Sequence, residues 1–280
     1  FWYPNLANGF SYLGVVTQHP SLSSTDGGES AFGYVGPFKN LTNLETNGDS
    51  ISSIKRVATY STNTETGSEI VAFDKDSNKM FVTNGATNAI DVFSLTYGSS
   101  SKTTTMTKTD SFDLSSYGSS VQSVAVKNGK VAVAVGSSNK VTTKGKVVIF
   151  DTNGVLLSQT VVGYLPDMVT FNEDGTKVLV ANEGEPDATS GTYVDVAGSV
   201  GIVTITNADK NENANGYAEV NFSSAILTAA TDKTEVRLGG TPSNDKSLDI
   251  EPEYIAVSGD YAYVTLQENN AIAKINISGT

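Results

Sequence analysis

Two stretches of this chain are variants of one sentence. Residues 165–185 read LPDMVTFNEDGTKVLVANEGE, and residues 251–270 read EPEYIAVSGDYAYVTLQENN. In each, an acid beside a proline opens a short apolar strand. A polar turn containing Gly follows, and a second strand runs into an acidic-amide cluster. A unit repeated at this length specifies a repeat architecture, in which each unit buries its apolar faces on its neighbours. Two plainer copies lie upstream, EIVAFDKDSNKMFVTN at 69–84 and QSVAVKNGKVAVAV at 122–135. The latter carries Asn128-Gly129, a dipeptide favoured in two-residue hairpin turns.

Each copy is followed by another strand: AIDVFSL at 89–95, GKVVIFD at 145–151, GSVGIVTI at 198–205 and AIAKINI at 271–277. Strands leading into the copies are expected at Ile54–Tyr60, Thr107–Asp113, Leu156–Val162 and Glu235–Leu238. Four-stranded units spaced by roughly 40–50 residues are the signature of propeller blades. The predicted fold is therefore all-β. It is a β-propeller with four visible blades of about four antiparallel strands each over residues 51–280. A polar insertion is expected at about 206–248, with one short helix around Ser223–Ala230, and residues 1–50 read as an irregular N-terminal segment. Four blades are few for a closed ring, so these are expected to belong to a larger propeller of about seven blades. The open edge would be closed by the protein's own missing blades, by a protein partner, or by a second copy in a homo-oligomer or surface assembly.

Composition removes several classes of function. The net charge of −12 argues against nucleic acid, which needs a basic footprint. No stretch is long and apolar enough to span a membrane. The absence of Cys excludes disulfides, thiolate metal sites and a Cys nucleophile. A charged fraction of only 17%, a texture rich in Ser, Thr, Asn and Gly, and a start at Phe1 rather than Met suit an exported, processed chain. Asn40, Asn221 and Asn276 open Asn-X-Ser/Thr sequons and are the candidate glycosylation sites.

Candidate chemistry concentrates in the acidic loops. Asp167 and Glu253 stand at the start of equivalent units, and Glu183 and Glu268 at their ends. Glu185, Asp187 and Glu251 lie beside them, and Asp195 is close in sequence. Carboxylates and amides are hard oxygen ligands that suit Ca2+ or Mg2+. Equivalent positions of successive blades lie around one axis, so these acids would converge, and converging like charges require a cation or shared protons. Loop acids also commonly bond their own backbone instead. The runs Asp74–Asn78 and Asn172–Gly175 lack the full calcium-loop pattern and read as hairpin turns. His19 is the only His, so neither a Ser-His-acid triad nor a two-zinc site is supported, and no catalytic residue is assigned.

The motifs Gly163-Tyr-Leu-Pro-Asp167-Met-Val-Thr-Phe171, Val180-Ala-Asn-Glu-Gly-Glu-Pro186, Gly198-Ser-Val200, Asp249-Ile-Glu-Pro-Glu-Tyr254 and Leu266-Gln-Glu-Asn-Asn-Ala271, with Ser68–Phe73, resemble the choice-of-anchor I domain. This is a bacterial surface-protein family related to mesenchyme-specific cell-surface glycoproteins and built as a YVTN-like propeller. The resemblance covers about residues 54–280. It implies further blades beyond the QENNA segment and an extracellular or cell-surface location. Some family members carry an alkaline-phosphatase label. The expectation is an exported, non-catalytic assembly module stabilised by Ca2+, with a metal-dependent phosphoesterase as the alternative.

Overall fold

The computed structural model describes residues 2–5, 10–17, 31–39, 58–60, 67–98, 103–188, 191–206, 216–223, 236–238 and 245–279, with strand pairing alone for residues 2–39. The chain forms two compact units. One comprises residues 1–87 and 91–111; the other comprises residues 88–90 and 112–280.

The first unit holds a three-stranded antiparallel sheet, β1 (Trp2–Asn5), β2 (Phe10–Thr17) and β3 (Ala31–Lys39), within the segment expected to be irregular. The expectation failed there because Gly14, Gly33, Gly36 and Pro37 interrupt the apolar alternation that marks a strand. Most of a four-stranded sheet follows, β4 (Val71–Asp74), β5 (Lys79–Asn84), β6 (Ala89–Gly98) and β7 (Thr103–Asp113). Met80, Val82, Phe93 and Leu95 form its core with Val71, Phe73, Tyr60 and Met106. A buried charge is fixed here. Asp91 accepts from Asn84 Nδ2 at 3.0 Å and Ser111 Oγ at 2.8 Å, and pairs with Lys108 at 2.7 Å. Such saturation is what makes a buried carboxylate tolerable.

The second unit stacks three sheets. They are β8 (Ser120–Lys127) to β11 (Leu156–Val161), through β9 (Lys130–Gly136) and β10 (Lys146–Asp151); β12 (Pro166–Phe171) to β15 (Gly216–Asn221), through β13 (Lys177–Asn182) and β14 (Ser199–Thr204); and β16 (Pro252–Ser258), β17 (Tyr261–Leu266) and β18 (Ala271–Asn276). Each is an antiparallel meander with strands in chain order, the arrangement of a propeller blade. The middle sheet is covered on both faces, so β13 and β14 are apolar on both, whereas β17 alternates buried and exposed residues. Ala132, Ala134, Val147 and Ile149 of one sheet meet Val169, Phe171, Val178 and Val180 of the next. The opposite face of that second sheet, Met168, Leu179, Ala181, Val200 and Ile202, meets Ile255, Ala262, Val264 and Ile275 of the third.

The tight turns at one end of the sheets are tied in sequence. Asn128 Nδ2 donates to Asp174 O at 2.9 Å, and Gly259 N–H donates to Glu173 Oε1 at 2.9 Å. Asn128 and Gly129 both have positive φ, 49° and 72°, as a type I′ hairpin requires. The runs at 74–78 and 172–175 are hairpin turns as expected; Asp74 accepts from Ser77 N–H and Asn172 from Lys177 N–H.

Strand assignment differs from expectation in one respect. The strands at 107–113 and 156–162, read as leading into the next copy, are β7 and β11, the outer strands of the preceding sheets. Likewise β15, inside the expected insertion, completes the sheet of β12–β14. Which neighbour such a strand pairs with is set by the ladder and not by its own apolar pattern. Among the described residues the last sheet has three strands. Residues 224–230, expected to be helical, and most of Ile54–Tyr60 lie outside the described residues.

Candidate functional site

The acidic residues gather at the opposite end of the sheets from the tied turns, where backbone geometry aims them. At Asp167 and at Glu253 the ladder slips, between Pro166 and Met168 and between Pro252 and Ile255. A bulge turns an extra side chain out of the pleat. The plainer sheet has the same slip between Val121 and Ser123, placing the uncharged Gln122 there.

The loop after β13 is pinned by Asn182, which is fully buried. Its Oδ1 accepts from Gly163 N–H at 3.0 Å, and its Nδ2 donates to Ser199 Oγ at 3.1 Å. Ser199 in turn donates to Glu219 at 2.8 Å, and Glu219 faces Lys144 at 3.3 Å. From this anchor the chain turns outward. Glu183 N–H donates to Leu165 O at 2.9 Å, so the Glu183 loop lies against the Gly163–Asp167 segment. Gly184 then adopts φ 72°. Asp187 and Val194 close the loop with a two-bond backbone bridge.

Gly198 brings this loop to the last sheet. A Cβ there would lie 2.3 Å from Ile250 O, 2.5 Å from Glu183 O and 2.5 Å from Pro252 Cδ. Only a residue without a side chain lets the Glu183 and Glu251 loops approach so closely. On the far side a 3₁₀ turn, Lys246–Asp249, is capped by Asp245. Asn269 takes the pinning role, donating to Asp249 O at 2.7 Å and Arg237 O at 2.9 Å.

The result is a crowd of carboxylates whose charges oppose one another. Partial burial, then Asp167, Glu185, Glu251 and Glu253, push Glu183 up to about 8. Burial, then Glu268, Glu185, Asp195 and Asp249, push Glu251 up to about 7. Glu253 is also raised to about 7, by burial and by a hydrogen-bonded neighbour, Glu268. Six of the seven sequence candidates, Asp167, Glu183, Glu185, Glu251, Glu253 and Glu268, thus share one field. Asp187 is not among the carboxylates that load Glu183, Glu251 or Glu253.

Two further acids belong to the crowd. Burial raises Asp195, and burial and Asp195 raise Asp249. Asp195 Oδ2 accepts from Tyr193 OH at 3.0 Å, whereas Asp195 Oδ1 and Asp249 Oδ2 are buried without a hydrogen-bond partner. Asp249 was legible as the first letter of the DIEP motif but carries no mark of its own in the sequence. One cation from a neighbouring sheet, Lys140, pairs with Glu185. Among the described residues no three His, Asp or Glu side chains are already disposed as a metal shell. The donor set is all oxygen, and its unpartnered oxygens and excess charge can be relieved by protons or by a hard divalent cation.

Of the sequons, Asn221 and Asn276 end the exposed edges of β15 and β18, and Asn276 Oδ1 accepts from Ser278 N–H at 2.9 Å. Asn40 and His19 lie outside the described residues.

A sequence profile of the choice-of-anchor I domain matches residues 69–280, and the matched stretch contains every one of the acids above. The chain belongs to the choice-of-anchor I family. No curated protein sequence matches this choice-of-anchor I chain. Several solved structures resemble it distantly. Against the nidogen/laminin complex it shows 13% identity and a TM-score of 0.45, covering 97% of this chain and 73% of that one. For the periplasmic gluconolactonase PpgL of Pseudomonas aeruginosa the figures are 13%, 0.43, 80% and 59%. For Kuenenia stuttgartiensis hydrazine synthase they are 15%, 0.36, 75% and 64%. The chain thus spans less than two thirds of the latter two, and no activity carries over at such identities. Among the described residues no helix is long and apolar enough to cross a membrane.

Proposed function

We propose that this choice-of-anchor I domain is exported and works at the cell surface or outside the cell as a non-catalytic binding and assembly module, with Ca2+ taken up by its acidic loops. The observation that carries the reading is the set of three glutamates, Glu183, Glu251 and Glu253, drawn together by adjoining blades, where partial burial and the charges of the surrounding acids resist ionisation. Glycine at 198 and bulges at Asp167 and Glu253 hold that arrangement. A fold that confines repelling acids at matched ends of two blades is a fold that a divalent cation would clamp. Asp195 Oδ1 and Asp249 Oδ2, buried and unpartnered, fit such an ion. Isothermal titration of the chelator-treated protein with CaCl2 tests this. Saturable binding at pH 8 that is lost in Glu183→Gln is expected, and no heat at millimolar Ca2+ would refute it.

A phosphoesterase is the second reading. Lys140, brought to Glu185 from the β9–β10 connection, supplies the cation that a phosphate would need and that the acidic motifs themselves lack. Chelator-sensitive hydrolysis of p-nitrophenyl phosphate, abolished by Glu183→Gln, would establish it in place of the non-catalytic reading.

A further inference from the structure

We propose that the Tyr164–Leu165 peptide is a two-state switch: in the strained form the structure shows, it holds the loop that carries Glu183 and Glu185 shut against the Gly163–Asp167 segment, and on flipping it releases that loop. The backbone of Leu165 carries the inference. Its φ is 46°, and among the described residues it is the one residue other than Asn or Gly in the left-handed region. Asn78, Asn88, Asn128 and Asn270 tolerate that conformation, whereas a Leu there sets its Cβ against the following carbonyl. Pro166 adds to the strain, because a proline biases the residue before it towards extended backbone. Blade architecture does not require this. Leu165 stands one residue before the ladder slip of β12. Ser120 and Glu251 hold the same place before the slips of β8 and β16, and neither has a positive φ. Strain that two equivalent sheets do without points to a role beyond folding.

The surroundings fix what can move. Gly163 N–H donates to Asn182 Oδ1 at 3.0 Å, and Gly145 N–H donates to Gly163 O at 2.9 Å. Pro166 is buried and lies so close to Gly145 that a Cβ there would be 2.4 Å from Pro166 Cδ. With both flanks held, the smallest motion that relieves Leu165 is a reversal of the planar Tyr164–Leu165 peptide, which changes ψ at 164 and φ at 165 in opposite senses. Tyr164 O accepts from Gly184 N–H at 3.3 Å. Reversal removes that acceptor and turns the Leu165 N–H towards the Gly184 N–H in its place. Two facing donors leave both unpaired, so the loop moves away to find other partners.

Coupling of the switch to ion uptake rests on the Ca2+ reading, since the closed form is the one that lays Glu183 against the segment bearing Asp167; the flip itself does not. The test compares Leu165→Ala with Leu165→Gly in the whole chain. Both lose the leucine side chain, and only glycine loses the Cβ that opposes a positive φ. Residue-resolved hydrogen exchange should show the Gly184 amide opening locally, faster than the core amide of Leu179. That opening should be about three- to tenfold rarer in the Gly variant than in the Ala variant, the relief of strain being partly offset by glycine's freedom in the open form. Leu165→Asn, the residue found at the four other left-handed positions, should shift it in the same direction. An ion held only by the closed form should raise Gly184 protection about a hundredfold at a hundredfold excess of CaCl2 over Kd. A Gly184 amide as slow as that of Leu179 would overturn the switch. So would equal Gly184 exchange in the Ala and Gly variants while Leu179 differs, since the strain would then persist in the open loop. Calorimetric Ca2+ binding with no change at Gly184 would overturn the coupling. Absence of Ca2+ heat in every variant would sink the Ca2+ reading, and the Ala and Gly variants would still decide the flip.

Discussion

The raised glutamates make stability fall as pH rises, and the size of the fall can be worked out. Glu183, Glu251 and Glu253 move from an ordinary value of 4.5 to about 8, 7 and 7 in the folded chain. Between pH 4.5 and about 7 the folded protein therefore holds protons that the unfolded chain has released. Stability from these groups is fully present below pH 4.5 and is lost as pH climbs through 7 to 8. One such proton is worth about 1.4 kcal/mol per pH unit. Halving the three-group effect, because all three glutamates keep some exposure to screening solvent, leaves about 2 kcal/mol per unit. Urea unfolding at pH 5.5, 6.5 and 7.5 in EDTA should then show the midpoint dropping at each step. Ca2+ competes with those protons and binds the ionised acids. Its stabilisation should thus be absent at pH 5.5 and emerge at pH 8, reaching about 2.7 kcal/mol at a hundredfold excess over Kd. A midpoint that is flat or rising from pH 5.5 to 7.5 in EDTA would refute the claim that these carboxylates are forced together.

Glu183→Gln removes the most strongly opposed charge, so it should raise the pH 8 midpoint in EDTA, flatten the pH dependence and erase the Ca2+ effect, all read from the same titrations. Gly198→Ala sets a methyl 2.3 Å from Ile250 O and should cost about 1–3 kcal/mol while weakening Ca2+ binding, measurable by urea unfolding and calorimetry. Asn182→Ala strands the buried Gly163 N–H, while Ser199 keeps its bond to Glu219, and a loss of about 1–3 kcal/mol is expected in the same assay. Glu173→Ala cuts a single exposed link to Gly259 N–H at the other end of the sheets; a loss near 1 kcal/mol or less with Ca2+ binding unchanged serves as the control.

What the sequence made legible follows from what strand chemistry writes locally. The strands KVLVAN and KVVIFD are buried along nearly their whole length, so they read as strands without help from the fold. The turns read equally well, because Asn128-Gly129 and Asn172–Gly175 must satisfy local dihedral demands. The outer strands at 107–113 and 156–162 read as leading into the next blade, and GYAEVN reads as part of a polar insertion, since such a strand is set by its pairing, to β14 in the case of GYAEVN, and not by its own apolar pattern. At the site, the acids were legible as residues but their convergence was not. Convergence depends on two facts that no residue displays alone: a ladder slip at Pro166 and Pro252, and the contact of Gly198 with Ile250 across two blades. The motif glycines and prolines therefore say as much about the site as its carboxylates do. Gly163 sits where a Cβ would strike Asn182 at 2.4 Å, Gly184 where it would strike Gly198 N at 2.6 Å, and each holds an acid-bearing loop in place. A chain that kept the glutamates but lost these small residues would keep its charge and lose the burial and repulsion that give the glutamates their shifted titration.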